Sequence, residues 1–176
     1  MIDEQIRVGP ARWTLLKPHL YMQNLLRAAD SVRRDGWLAA PMGRDCFPLV
    51  DTRDVGAAAA IVLGNPVAHA GQVYALTGPA AHSYDEVATA LSVVAGRAVT
   101  YEPVLPQAQE TLLLAAGIPG WRAFDLANIA SAYRPSDSAV SPDLPMLLGR
   151  KPRSLTEFLQ DHRAFFTGSG PRTTNH

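Results

Sequence analysis

The chain has 176 residues, of which 47% are hydrophobic and 18% charged, with 16 Lys plus Arg against 16 Asp plus Glu. That length and balance describe one globular domain with a real core. A formal net charge of zero leaves no overall field to draw the protein to nucleic acid or to an anionic membrane, so neither partner is expected. The single Cys46 excludes an intrachain disulfide, and no basic segment leads into an apolar run of signal or bilayer length; a cytoplasmic location is expected.

In chain order, a buried strand is predicted at Trp13 to Lys17. Pro18 ends it, because proline has no N–H for a ladder and drives the residue before it into extended geometry. From Met22, the residues Leu25, Leu26, Ala29 and Val32 recur at helical spacing until Gly36, predicting an amphipathic helix of several turns whose solvated face carries Arg27, Arg33 and Arg34. Pro41, Gly43 and Pro48 make Trp37 to Val50 mostly loop, with short extended pieces at Trp37 to Ala39 and Phe47 to Val50. Cys46, with no histidine or second cysteine at metal spacing, is expected to be a partly buried structural thiol rather than a metal ligand.

Asp54 is expected to cap an Ala-rich helix from Val55 to Leu63, stopped by Gly64-Asn65-Pro66. Gln72 to Leu76 then forms a strand closed by the turn Gly78-Pro79. Ser83 and Glu86 make a capping box for a helix ending at Gly96, and Val99 to Val104 is predicted as a strand. Helices at Gln107 to Ala116 and Ala123 to Tyr133 flank the break Gly117-Ile118-Pro119-Gly120. A second capping box, Ser154 with Glu157, opens the last helix, on which Phe158, Leu159, His162, Phe165 and Phe166 share a face. Gly168 to Pro171 ends it.

Motifs for catalysis are few. No H-E-x-x-H, C-x-x-C, G-x-S-x-G or G-x-x-x-x-G-K-[ST] occurs, and no glycine-rich G-x-G-x-x-G turn that would bring a backbone up to a pyrophosphate. No tyrosine has a lysine four residues on; Leu25, Gly78, Ala88, Leu105 and Asp137 stand there instead, which excludes the tyrosine–lysine dyad of many short-chain dehydrogenases. No catalytic residue is therefore assigned. His162 is expected on the apolar face of the last helix with a hydrogen-bond partner, and His69 and His82 in exposed positions. Asp51, Arg53 and Asp54 form either an acidic pair around a guanidinium or an ordinary cap and ion pair. Arg150, Lys151 and Arg153 either grip a phosphate or serve as a structural lead-in to the last helix.

Taken in order, Trp13-Thr14-Leu15-Leu16-Lys17-Pro18, His19-Leu20-Tyr21-Met22-Gln23-Asn24-Leu25-Leu26, Val50-Asp51-Thr52-Arg53-Asp54-Val55, Tyr74-Ala75-Leu76-Thr77-Gly78-Pro79 and Leu148-Gly149-Arg150-Lys151-Pro152-Arg153-Ser154 resemble the C-terminal half of NmrA-like proteins. These are atypical members of the short-chain dehydrogenase/reductase superfamily that bind NAD(P), and they too commonly lack the dyad. The resemblance implies an α/β fold: a partial Rossmann-like parallel sheet with the helical substrate-side lobe over residues 1–166, the N-terminal glycine-rich βαβ half missing, and a disordered polar tail at 167–176. It implies the substrate-side portion of an NAD(P)-dependent oxidoreductase acting on an unidentified small molecule and unable to hold the dinucleotide alone, with a complementary N-terminal half or a second copy as partner. A non-catalytic redox-sensing or protein-association module is the alternative.

In the family the segment after the first strand borders the nicotinamide and substrate. This places Pro18, His19, Leu20 and Tyr21 at the cofactor, and Tyr21 and Asn24 at the substrate, unless Tyr21 and Met22 only plug the helix into the sheet. A half-sheet of this kind also requires Trp13 to Lys17 to lie beside Val73 to Leu76 and run parallel to it.

Overall fold

The computed structural model describes residues 2–133 and 138–168; the expected tail from 169 onward, with His176, lies outside them. Strand β1 (Leu15–Pro18) pairs in parallel with β4 (Val73–Leu76), Leu15 opposite Val73 and Pro18 opposite Leu76, as a crossover architecture requires. A second parallel pair joins β2 (Trp37–Ala40) to β6 (Thr100–Pro103). A short antiparallel pair joins β3 (Cys46–Phe47) to β5 (His82–Ser83). Backbone hydrogen bonds continue β1 past its end: Val50 N–H donates to the Leu20 carbonyl and Met22 N–H to the Val50 carbonyl, at 2.8 and 2.9 Å.

A helix not anticipated from periodicity, α1 (Ile2–Val8), opens the described chain; its acids Asp3 and Glu4 lie in the first turn and Arg7 in the last, as the helix dipole favours. Asp3 pairs with Lys17, and the Arg7 guanidinium stands over the Trp13 ring at 5.4 Å. The amphipathic segment after β1 is split. Met22–Ala28 is a 3-10 helix, and only Ala29–Asp35 is α-helical (α2). Tyr21 offers no side-chain cap, and the first turn closes instead by a tighter i to i+3 bond from Asn24 N–H to the Tyr21 carbonyl. Gly36 ends α2 in the left-handed conformation at φ 72°.

Helix α3 (Thr52–Gly64) begins earlier than expected because Asp51, not Asp54, is its cap: the Asp51 carboxylate accepts from Arg53 N–H at 2.8 Å. Both expected capping boxes are present, Ser83 with Glu86 opening α4 (Tyr84–Ala95) and Ser154 with Glu157 opening α8 (Leu155–Asp161). The last helix breaks at His162, whose Nδ1 lies 2.8 Å from the Phe158 carbonyl, and resumes as α9 (Arg163–Thr167). Between them lie α5 (Pro106–Ala115), α6 (Gly120–Ala127), a 3-10 turn at Ile129–Ala132, and α7 (Asp143–Leu148), the other helix the sequence did not announce. Asp143 ties α7 to β4, accepting from Ala75 N–H at 2.8 Å.

Apolar burial falls into two clusters. The larger packs α2, α4, α8 and α9 against β2 and β6, with Phe158, Leu91, Val87 and Ala29 wholly out of solvent; each large side chain contributes about 1.5–3 kcal/mol by leaving water. The smaller joins Val50, Ala58, Leu76 and Leu144. Between the two runs the segment from Gly149 to Ser154, anchored on Asp54. That carboxylate is fully buried inside α3 and accepts from Arg150 Nη2 at 2.6 Å, from Arg153 N–H at 2.6 Å and from Arg153 Nη1. The basic lead-in is thus structural, and Asp54 is its anchor rather than a helix cap. Cys46 also departs from expectation, being exposed.

Candidate functional site

The chain leaving the carboxyl ends of β1 and β2, each a member of a parallel pair, lines one cavity of about 310 Å³. In open α/β folds this is where ligands bind, because the strand ends leave a crevice and the chain that follows them supplies the walls. Leu20 and Asn24 enter it from the segment after β1, and Leu38, Ala40 and Met42 from β2 and its exit. Tyr84, the first residue of α4, lines the cavity from the α4 side. The outer wall comes from α5, α6 and the turn that follows, through Leu112, Leu113, Ile118, Leu126 and Ile129. The lining is mostly carbon, with Asn24, Ser31, Tyr84, Gln109 and Arg27 as its polar residues.

The residues expected around the site are brought together only in part. Leu20, 4% exposed, and Asn24 face the cavity. Pro18 stays in the ladder opposite Leu76. His19 is buried, its ring centroid 4.2 Å from that of Tyr133 and 6.2 Å from that of Phe47, so it belongs to an aromatic cluster beside the cavity. Tyr21 is bridged to Val50, is 37% exposed and does not line the cavity. It lies in extended geometry, where neighbours point to opposite sides.

Sequence reasoning did not single out Tyr84 as a lining residue; Arg27, expected on a solvated helix face, is exposed and borders the cavity as well. Burial, and secondarily the nearby Tyr101 phenol, pushes the Tyr84 hydroxyl far above its ordinary pKa. It stays a neutral phenol, a hydrogen-bond donor rather than a base, and has no hydrogen-bond partner among the described residues. Its capping-box neighbour Ser83 was the one available signal, since it fixes Tyr84 as the first residue of a helix whose start faces the strand ends. The acidic pair lies apart from the cavity. Burial pushes the Asp51 carboxyl up, but hydrogen bonds from Arg53 and Gln23 outweigh it and leave the group below its ordinary pKa; Arg53 also reaches Asp161 at 2.8 Å.

A glycine-rich turn of the kind that cradles a dinucleotide is not found among the described residues. The connections from β1 to the 3-10 helix, β3 to α3, β5 to α4 and β6 to α5 contain no glycine, so none lets a backbone close on a pyrophosphate at a helix start. Gly78 follows β4, but a Cβ there would overlap the Leu49 carbonyl oxygen; its space is taken by protein. Among the described residues no group of three or more His, Cys, Asp or Glu could hold a metal ion, and no helix is long and apolar enough to cross a membrane.

No family model matches the chain. It is 35% identical over 166 residues to an NAD(P)H azoreductase of Xenophilus azovorans, covering 93% of this chain and 57% of that protein. An NADPH-dependent quinone oxidoreductase from Escherichia coli, whose structure is also known with NADPH, superimposes with a TM-score of 0.81 at 25% identity, over 91% of this chain and 58% of that one. NmrA, a negative transcriptional regulator solved with NAD, shares the fold at a TM-score of 0.64 and 22% identity, over 91% of this chain and 55% of that one. The chain therefore spans a little over half the length of the proteins it matches, among them NAD(P)H-dependent reductases and, by fold, NmrA.

Proposed function

We propose that this chain forms the substrate-side portion of an NAD(P)H-dependent reductase and that the cavity between Leu20, Met42 and Tyr84 receives the electron acceptor. The observation that carries this reading is the convergence of the chain after β1 and after β2, each from a parallel pair, on one largely apolar cavity. Acceptors of the quinone or azo type, which the named relatives reduce, are the first to try. When bound, the nicotinamide would supply the hydride. The residues of this chain exclude water, orient the acceptor through Asn24 and offer it a hydrogen bond from the neutral Tyr84 phenol. The pyrophosphate is gripped by polypeptide outside these residues, and the chain alone holds neither NAD nor NADP with submillimolar affinity.

Two measurements test this. Calorimetric titration of the purified chain with NAD and NADP should show no saturable submillimolar binding; such binding would mean that the cradle has been overlooked. Joined to the dinucleotide-binding half of a relative, the chain should support NAD(P)H oxidation by a quinone. Asn24→Ala and Tyr84→Phe should then lower turnover more than they weaken cofactor binding. Loss confined to cofactor affinity would move the substrate elsewhere.

A further inference from the structure

We propose that the cavity selects an uncharged compound, an apolar body of about two fused rings bearing a carbonyl oxygen, and that the buried Tyr84 hydroxyl is the donor that recognises that oxygen. This rests on the reading of the cavity as the substrate pocket. Its volume, about 310 Å³, is about twice the ~150 Å³ that accommodates benzene in an apolar protein cavity, which sets the size of the body.

Tyr84 is 6% exposed and lines the cavity, yet its hydroxyl meets no hydrogen-bond partner among the described residues and is not sealed off by its neighbours. A buried phenol ordinarily finds a partner, because a polar group withdrawn from water without one is costly. The other hydroxyls nearby are already engaged. Tyr101, its ring centroid 5.4 Å from that of Tyr84, donates to the Ala40 carbonyl at 3.0 Å. Ser31, which also lines the cavity, donates to the Ala28 and Trp37 carbonyls at 3.0 and 2.9 Å. Tyr84 is thus the one buried polar residue of the lining, with an uncommitted O–H beside space that a ligand can fill. An anion finds no such match. Arg27, the only charged residue of the lining, is exposed, and an ion pair made in water adds little. Asn24 and Gln109 are neutral amides. A carboxylate drawn in among Leu20, Leu38 and Met42 would exchange its hydration for a single hydrogen bond, whereas a carbonyl has far less hydration to lose.

2-Acetylnaphthalene, 2-ethylnaphthalene and 2-naphthoate share a ring system and nearly a shape, and differ in offering a carbonyl, no acceptor and a carboxylate. Titrated calorimetrically into the full chain, the ketone should bind about tenfold more tightly than the carboxylate or better. Tyr84→Phe should weaken the ketone about three- to tenfold, the worth of one hydrogen bond. The hydrocarbon should bind that variant as tightly as before or more so, which shows that the cavity is intact. Ala28→Trp, which fills the cavity, should weaken both neutral ligands. No saturable ketone binding, a carboxylate that binds as tightly as the ketone, a ketone indifferent to Tyr84→Phe, equal losses of ketone and hydrocarbon in that variant, or indifference to Ala28→Trp would each overturn the proposal. If Tyr84-dependent ketone binding is found while the joined enzyme oxidises no NAD(P)H, the reductase reading fails and the carbonyl site stands. Turnover by the joined enzyme without such binding would keep the reductase reading and sink the carbonyl site.

Discussion

Asp54→Ala should be among the most damaging single changes in this chain, because Asp54 holds the crossing between the two apolar clusters. The side chain is wholly buried and faces the guanidinium of Arg150, the guanidinium of Arg153 and the Arg153 N–H. Removing one partner of a buried ion pair costs about 3–5 kcal/mol, chiefly through the charge left behind. Here the arginine side chains are 45% and 34% exposed and can recover water, which places the charge contribution near the lower limit. A backbone N–H left without an acceptor adds about 1 kcal/mol. The expected loss is about 3–4 kcal/mol, against about 0.5–2 kcal/mol if Asp54 were only a helix cap. For a chain of this size that lowers Tm by roughly 6–16 °C. Urea unfolding should show a lower midpoint at unchanged slope, with Asp54→Asn intermediate because it keeps one acceptor oxygen. A loss below about 1 kcal/mol would refute the anchor.

Three further outcomes follow from the same geometry. Asp51 has a folded pKa below its ordinary value, so the stability it contributes is present above its unfolded pKa, near 3.9, and is lost as pH falls through the folded value. Asp51→Asn should therefore flatten the acid side of the stability profile below about pH 4, and an unchanged acid limb in urea melts would contradict this. Gly78→Ala should destabilise by about 1–3 kcal/mol because its Cβ meets the Leu49 carbonyl, whereas Gly56→Ala, with open space in the middle of α3, should stabilise by about 0.5–1 kcal/mol; thermal melts of the pair should differ in sign. Ser83→Ala and Ser154→Ala should each cost about 1 kcal/mol as broken capping boxes, and a neutral result in chemical unfolding would mean that the caps do not survive in solution.

What the sequence determined by itself was local. Capping boxes are written in four consecutive residues, so Ser83–Glu86 and Ser154–Glu157 mark their helices without reference to the rest of the chain. Apolar spacing likewise located the core faces of α4 and α8, and the segments flanking Pro18 and Gly78 told which strands must lie side by side. Short elements escaped: α1 and α7, of seven and six residues, are too brief for a period to show. The splitting of the first long helix at Ala28 depends on a cap that Tyr21 does not provide.

The candidate cavity was legible only where chain order carries it, at Leu20 and Asn24 after the first strand. Tertiary structure decided the remainder. The cavity's outer wall exists only because α5 and α6 arrive from far along the chain to face Leu20 and Asn24. An aspartate at the start of a helix is equally suited to cap it or to lie within its first turn. It is the distant Arg150 and Arg153, folded back over α3, that make Asp54 a buried anchor and leave the cap to Asp51, because a charge can be buried only where opposite charge and hydrogen-bond donors have already been brought together.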